Sequence, residues 1–448
     1  MAQGREAWTQ RAGAAVSALE VRSCGELSPE AFPPLLRAGP VRIGGLMEAA
    51  AHPVDAAKEL LAHLHALADA RLITFAAGSG PTCFAELRTV APGFRLTALP
   101  HGTLVLSRFA NMRADDGALM LETPLGVGAV RIRHPSALTA LGALASGADA
   151  ASLISDSELP GEMQAFLELL VSSAIASASQ DGRTADADET PALQQWEFHD
   201  LLFHHRSRLG RHDGDMGATF RFLDRIEPPP CVAERPFTTT IPFTRPSRPL
   251  PLDPGLPRLL GRRTSVREHA QLPISSRELG DFLYHCARVV EVLPGPHGPF
   301  TRRPYPNGGA SYELEVYLVV SRCMGVASGF YYYDAAAHGL ASLRPPNADT
   351  EALLDHAYIA SGQTCRPQVL LMLASRFQRV SWKYAGMAYA TTLKNVGALY
   401  ATMYLVATAM GLAPCALGVG DSERFTRLAG TDRYTEATVG EFMLGSAA

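Results

Sequence analysis

The spacing of apolar residues changes along the chain and indicates which segments are helices and which are strands. Between Pro53 and Leu72, leucines and alanines recur every three or four residues, which predicts an amphipathic helix. Short apolar runs at 73–76 and 86–90 predict strands. We therefore interpret residues 1–100 as a helical, winged-helix-like module. A generic α+β domain fits the same pattern equally well.

A second region, residues 101–235, begins with apolar runs typical of strands. Residues 118–122 and 129–133 are separated by a proline and two glycines, which favours a hairpin. Helices are expected after it, over 138–144 with Ser136 as the cap and over 162–176. This order is typical of small modules that bind an extended peptide along a strand edge. A purely structural domain is the alternative interpretation.

Two stretches read as connections between folded parts. Residues 177–191 are polar, acidic and rich in turn formers, which predicts an exposed linker. Residues 227–257 are rich in proline and cannot form the interior of a helix or a central strand. The last predicted domain therefore covers residues 258–448.

The most apolar stretch of the sequence could be mistaken for a membrane span. No charged residue occurs between Lys394 and Asp421, but Gly411 and Pro414 interrupt the run. A spanning helix needs about 20 consecutive, predominantly apolar residues. We predict instead a buried helix over 389–410, followed by a turn and a short strand.

Composition excludes several classes of protein. The 448 residues carry a net charge of −4, so the charge balance gives no sign of nucleic-acid binding. The seven cysteines are scattered and form no C-x-x-C pair, and we expect neither a disulfide framework nor a zinc site. A histidine-rich stretch at 196–222 also lacks the spacing of a metal site, so no metal is predicted. The first residues lack an apolar signal segment, and we expect a cytoplasmic protein.

Three patches in the last domain carry residues suited to chemistry. Arginines and hydroxyls at 262–269 can form charge-assisted hydrogen bonds to a phosphate. A Pro-Asn-Gly-Gly turn at 306–309 lets the backbone approach a flat ligand. Lys383 and Tyr384 are adjacent groups that can move protons, and they precede the apolar helix and a glycine-rich turn.

Together, and in this order, the three patches resemble the SagB-type, McbC-like azoline dehydrogenases of the nitroreductase-like flavoprotein superfamily. The resemblance covers residues 261–445 and extends more weakly upstream. It implies an α+β fold: an FMN-binding, nitroreductase-like domain with a mainly antiparallel sheet, preceded by small winged-helix-like peptide-clamp modules.

The resemblance also implies roles for individual residues. Lys383 and Tyr384 match the catalytic pair of the family, and Asn307 stands where the family usually has a serine. The remaining matches imply contacts to FMN, from the first patch, the turn and the Gly-Leu-x-x-Cys-x-x-Gly segment at 411–418; these residues are Arg263, Ser265, Arg267, Pro306, Asn307, Gly308, Gly309, Leu417 and Gly418.

The chemistry implied is the oxidation of thiazoline or oxazoline rings to thiazoles or oxazoles in a ribosomally made precursor peptide. The Cα proton goes to Lys383 or Tyr384, and either residue fits that role at this stage. The Cβ hydride goes to N5 of the flavin. A homodimer and a partner cyclodehydratase are implied as well. Two other functions remain open: a general NAD(P)H-dependent flavin reductase acting on nitro compounds or quinones, and a peptide-binding scaffold without flavin.

Overall fold

The computed structural model describes residues 19–23, 41–42, 54–246 and 255–448. Contacts between Cα atoms divide the chain into two compact units, Met1–Gly214 and Asp215–Ala448. Within the described part of the chain, no helix is both long and apolar enough to cross a bilayer.

The first unit is built on a seven-stranded antiparallel sheet with the strand order β2-β1-β3-β4-β8-β7-β6. Its strands are β1 Leu19–Ser23, β2 Val41–Arg42, β3 Ile73–Ala77, β4 Ala85–Thr89, β6 Asn111–Asp115, β7 Ala118–Glu122 and β8 Gly128–Ile132. A smaller sheet has the order β10-β5-β9. Its strands are β5 Thr103–Leu106, β9 Ala148–Asp149 and β10 Ala176–Ala178.

Five α-helices lie in the described part of the first unit. They are α1 Val54–Asp69, α2 Pro135–Leu144, α3 Ala150–Ser155, α4 Pro160–Ser172 and α5 Phe198–Arg206. The predicted cap of α2 was wrong: the side chain of His134 accepts the capping hydrogen bond, and Ser136 supplies the backbone N–H. Strands from before and after residue 100 belong to the same large sheet. The modules predicted at 1–100 and 101–235 therefore both contribute strands to this sheet. The division predicted at residue 100 stays a prediction.

The second unit contains another seven-stranded sheet, which is antiparallel as expected. Its order is β11-β16-β15-β14-β17-β19-β18. The strands are β11 Ile241–Pro242, β14 Leu314–Val320, β15 Gly329–Asp334, β16 Gly339–Arg344, β17 Val369–Arg376, β18 Leu412–Leu417 and β19 Glu436–Ser446. The central strands β14 and β17 are buried almost throughout because helices and side chains cover both faces. A separate hairpin pairs β12 Glu291–Leu293 with β13 Phe300–Arg302.

The helices of the second unit are α6 Leu256–Arg262, α7 Ser276–Ala287, α8 Ala348–Ala360, α9 Gln378–Ser381, α10 Ala388–Met410 and α11 Ser422–Ala429. The apolar run thus forms the long helix α10, one residue longer at its start than expected. It stops at Gly411, whose φ of 68° is a left-handed conformation that glycine adopts without strain. Thr392, Val396, Leu399 and Met403 form a buried stripe along α10, which anchors it to the sheet.

Candidate active site

The Pro-Asn-Gly-Gly turn and the Lys383–Tyr384 pair meet in space although 74 residues separate them. The Lys383 Nζ atom donates a hydrogen bond to the carbonyl oxygen of Gly309, at 3.2 Å. A Cβ atom added at Gly309 would collide with the Tyr384 hydroxyl oxygen and lie 2.9 Å from Lys383 Nζ. Gly309 also has a φ of 64°. Both the backbone conformation and the lack of space therefore require glycine here.

The pair reaches the turn because the chain bends sharply after β17. The short helix α9 follows the strand, and the backbone N–H groups of Lys383 and Tyr384 both donate to the carbonyl oxygen of Val380, at 3.1 and 2.9 Å. The side chain of Val380 is buried, so this bend is fixed to the core. The two side chains are half-buried, which leaves them accessible to a ligand.

A buried carboxylate below the turn holds it in place. Glu313 is fully buried and accepts hydrogen bonds from the side-chain amides of Asn307, at 3.0 Å, and Asn395, at 2.8 Å. Each amide then accepts a backbone N–H with its oxygen: Asn307 from Tyr312 and Asn395 from Gly308. The closed network fixes the backbone of the turn against helix α10.

This network shows what sequence reasoning missed. Asn395 was not among the predicted site residues, but its side chain is buried and bound to the turn. Its position on the buried stripe of the helix was the available signal. Glu313 gave no comparable signal. Asn307, expected to contact the cofactor, has both ends of its amide engaged within the protein.

The pKa of Tyr384 bears on its role. Burial raises the pKa of this phenol above its usual value, so the neutral hydroxyl is favoured over the phenolate. Tyr384 is thus suited to donate a hydrogen bond. Arg379, one turn earlier, uses its guanidinium to bind the carbonyl oxygens of Ser311 and Pro229, and it stabilises the backbone around the pair.

The first predicted patch packs against the last predicted patch. The Ser265 hydroxyl lies 2.8 Å from the Tyr404 hydroxyl, which also accepts the backbone N–H of Ala416. The Arg263 guanidinium lies over the Tyr404 ring, 5.2 Å from its centroid. Because Tyr404 comes from α10 and Ala416 from β18, one helix and one strand position the arginine segment.

The arginines of this patch are available to a ligand. The side chains of Arg263 and Arg267 are exposed, and neither makes an ion pair with any residue in the described ranges. Gly418 is also exposed, and a Cβ atom there would meet nothing within 4 Å. Leu417 differs from these: its side chain is buried in the core, so only its backbone can serve a ligand.

The predicted site residues thus form two groups at different points of α10. Asn395 belongs to the group that contains Lys383. Tyr404 belongs to the other group, which contains Ser265. Nine residues of helix separate Asn395 from Tyr404, which corresponds to about 13 Å. No hydrogen bond between described residues joins the two groups. A ligand that contacts both groups must therefore be long and must carry different chemistry at its two ends.

Gln363 and Arg366 lie outside both groups. The helix before β17 ends at Ala360, and both residues follow it. Gln363 adopts a positive φ of 60° in the turn, and Arg366 pairs with Glu351 and Asp355. Arg366 therefore stabilises a turn at the surface through these ion pairs. Within the described residues, no group of three or more histidine, cysteine or acidic side chains is arranged to hold a metal ion.

Comparison with known families agrees with this architecture. Residues 260–446 match the model of the nitroreductase family, and residues 104–213 match the model of the cyanobactin oxidase ThcOx. Residues 260–446 form a nitroreductase-family domain. The chain thus carries an oxidoreductase domain at its C-terminal end, preceded by a ThcOx-like region.

Individual relatives are distant and match this chain in part. The protein MJ1384 of Methanocaldococcus jannaschii, whose name assigns it to the nitroreductases, is 27% identical over 36% of this chain and 76% of its own length. The microcin B17-processing protein McbC of Escherichia coli is 28% identical over 28% of this chain and 47% of its own. The trifolitoxin-processing protein TfxB of Rhizobium leguminosarum bv. trifolii is 25% identical over 29% of this chain and 35% of its own. The chain therefore spans about half of McbC and about a third of TfxB.

Proposed function

We propose that this protein is an FMN-dependent dehydrogenase that oxidises thiazoline or oxazoline rings of a ribosomally made precursor peptide. The observation that carries the proposal is the meeting of Lys383 and Tyr384 with the Gly308–Gly309 turn. Two proton-handling groups beside an exposed, side-chain-free backbone suit the removal of a proton from a flat ring. The names of McbC and TfxB, both peptide-processing proteins, support a peptide as the substrate.

The residues present fit FMN. Exposed Arg263 and Arg267 offer charge-assisted hydrogen bonds to its phosphate, and Ser265 lies between them. The Gly308–Gly309 turn is partly exposed next to Lys383, so a flat ring can lie against the solvent side of its backbone. When bound, FMN would supply a two-electron acceptor for the hydride that leaves the azoline Cβ.

The protein's own groups would then handle the proton. The azoline Cα proton goes to the Lys383 amine, which the Gly309 carbonyl holds in place. The raised pKa of Tyr384 favours its neutral form, which assigns it the role of hydrogen-bond donor to the substrate. The burial of Tyr384 supports this division of roles. The sequence alone left both residues as possible bases.

The proposal includes partners. The exposed side of α10 carries Tyr389 and Leu393, with exposures of 49% and 39%, which suits a second copy of this chain. We propose a homodimer on this basis. A cyclodehydratase that makes the azoline rings is the partner that the reaction requires, and we place the reaction in the cytoplasm.

The test uses a synthetic peptide that carries one thiazoline ring. Purified protein should be yellow with an FMN spectrum and should lower the peptide mass by two units. Lys383→Ala should retain the flavin and lose at least 100-fold in rate, within the range of general base catalysis. Lys394→Ala, which alters an exposed lysine on the first turns of α10, is the matched control.

Other outcomes would identify the competing functions. Reduction of nitro compounds or quinones by NAD(P)H, with the azoline peptide untouched, would show a general flavin reductase. Colourless protein that takes up no FMN but binds the peptide would show a scaffold. Full activity of Lys383→Ala would refute the assigned base.

A further inference from the structure

A segment of the second unit lies against the proposed catalytic pair. We call residues 217–231 the strap. Its backbone pairs with the catalytic bend through Gly217 and Ala385, and the N–H of Phe220 donates to the carbonyl oxygen of Lys383, at 3.2 Å. The Trp382 indole N–H donates to the carbonyl oxygen of Ile226, at 2.6 Å. These contacts fix the strap to the residues that carry the proposed chemistry.

The far end of the strap is fixed as well. The Arg379 guanidinium binds the carbonyl oxygen of Pro229, and Arg376 binds those of Pro230 and Cys231. Hydrogen bonds from charged donors are among the stronger ones in proteins. The strap is therefore built into the wall of the site.

Phe220 connects the strap to Lys383. Its ring centroid lies 5.8 Å from Lys383 Nζ, 4.5 Å from the His297 ring and 5.9 Å from the Trp382 ring. The residue adopts a positive φ of 50°, a left-handed conformation that strains the backbone of a non-glycine residue. The surrounding contacts hold this conformation, and with it an aromatic cluster beside the pair.

The strap and this cluster line an open pocket of about 400 Å³. Its walls include His297 and Trp382 from the cluster and, from the strap, the apolar Leu223 and Pro228 and the charged Asp224, Arg225 and Glu227. Leu223 is 42% exposed, so its apolar side chain faces the opening. The volume falls within the range of ligand sites, about 300–1,000 Å³, and exceeds that of any single side chain.

We propose that this pocket binds the residue of the substrate peptide next to the reacting ring, and that it selects a flat aromatic or heteroaromatic group. The inference rests on the proposed function. Trp382 lines the pocket and is directly followed by Lys383, and the Phe220 ring lies 5.9 Å from the Trp382 ring and 5.8 Å from Lys383 Nζ, so a peptide with its azoline at Lys383 lies near the pocket. Indole and imidazole walls favour a ring as the occupant, because aromatic rings gain from packing at about 4.5–7 Å.

The test compares two synthetic thiazoline peptides that differ in the residue next to the ring, phenylalanine in one and glycine in the other. The wild type should show a KM at least tenfold lower for the phenylalanine peptide, with similar kcat. Leu223→Trp, which fills the pocket, should raise KM for that peptide about tenfold and leave the glycine peptide unchanged. Leu272→Trp, at a leucine 67% exposed outside the pocket, should behave as the wild type.

The outcomes separate this inference from the proposed function. Equal KM values of the wild type for the two peptides, or an unchanged preference in Leu223→Trp, would overturn the pocket assignment while the oxidation itself stands. Failure of the wild type to oxidise either peptide would overturn the proposed function and the inference with it. Leu223→Ala, which enlarges the pocket, should weaken the preference for phenylalanine without changing kcat; a preference equal to that of the wild type would contradict the assignment.

Discussion

The Lys383 Nζ atom donates to the Gly309 carbonyl oxygen at 3.2 Å, and this hydrogen bond joins two segments that are distant in sequence. It fixes the amine directly beside the backbone that a flat ligand can approach. The hydroxyl of the next residue, Tyr384, occupies the space that a Cβ atom at Gly309 would need. The geometry of the proposed site thus depends on the absence of a side chain at Gly309.

Gly309→Ala should therefore reduce the activity more than it reduces the stability of the fold. The new methyl group would collide with Tyr384, and the left-handed backbone would add about 1–2 kcal/mol of strain. We expect azoline oxidation to fall at least tenfold. Gly430→Ala is the control, since Gly430 has nearly the same φ, 68°, and open space around it. Equal loss of activity in both variants would show that strain alone is responsible.

The buried carboxylate below the turn gives a second prediction. Glu313→Gln places a side-chain N–H₂ against the amide donor of Asn307 or Asn395. A buried hydrogen bond lost in this way costs about 1–3 kcal/mol, so the thermal midpoint should fall and the turn should lose its fixed position. Glu423→Gln, at an exposed ion pair, should change stability by less than about 1 kcal/mol. An unchanged midpoint and rate in Glu313→Gln would contradict the role of the network.

The exposed arginines give a prediction about cofactor affinity. Arg267→Ala should raise the Kd for FMN about 10- to 100-fold, as expected for the loss of one charge-assisted hydrogen bond of about 1.5–3 kcal/mol. Stability of the protein without cofactor should not change, because the Arg267 guanidinium pairs with no side chain in the described ranges. Arg277→Ala, at an exposed position of α7, is the control. Flavin titration measures both, and equal Kd values would refute the phosphate contact.

A buried glutamate of the first unit gives a prediction about pH. Burial raises the pKa of Glu168 from 4.5 to about 7, so the carboxyl is protonated in the folded chain where the unfolded chain is already ionised. The favourable contribution is complete below pH 4.5 and is lost as pH rises through 7. The loss amounts to about 3 kcal/mol, at about 1.4 kcal/mol per pH unit between the two pKa values.

Glu168→Gln should accordingly be more stabilising at pH 8 than at pH 5. The measurement is the free energy of unfolding of both proteins at the two pH values. Glu158→Gln, at an exposed glutamate before α4, should show no such pH dependence. A pH-independent difference between Glu168→Gln and the wild type would show that the carboxyl is not buried as the structure has it.

The sequence by itself predicted the main secondary-structure elements of the last domain and the types of residue that form its candidate site. The long run without charged residues, interrupted at Gly411 and Pro414, predicted a buried helix over 389–410, and the structure has it at 388–410. The sequence also showed the glycine-containing turn at 306–309 and the neighbouring pair Lys383 and Tyr384. These residues were recognised by their chemical type and by their order along the chain. The resemblance that these patches carry implied the antiparallel sheet and the nitroreductase-like domain.

Only the tertiary structure decided which of these residues meet. Glu313, Asn307 and Asn395 join across the turn because β14 and α10 are packed together, and a sequence pattern contains no information about such long-range pairs. The raised pKa of Tyr384 likewise depends on burial by residues far along the chain. The strap at 217–231 joins the end of the histidine-rich stretch to the start of the proline-rich stretch, and the sequence predicted no contacts for it. Its hydrogen bonds with Trp382, Arg379 and Arg376 fix its position.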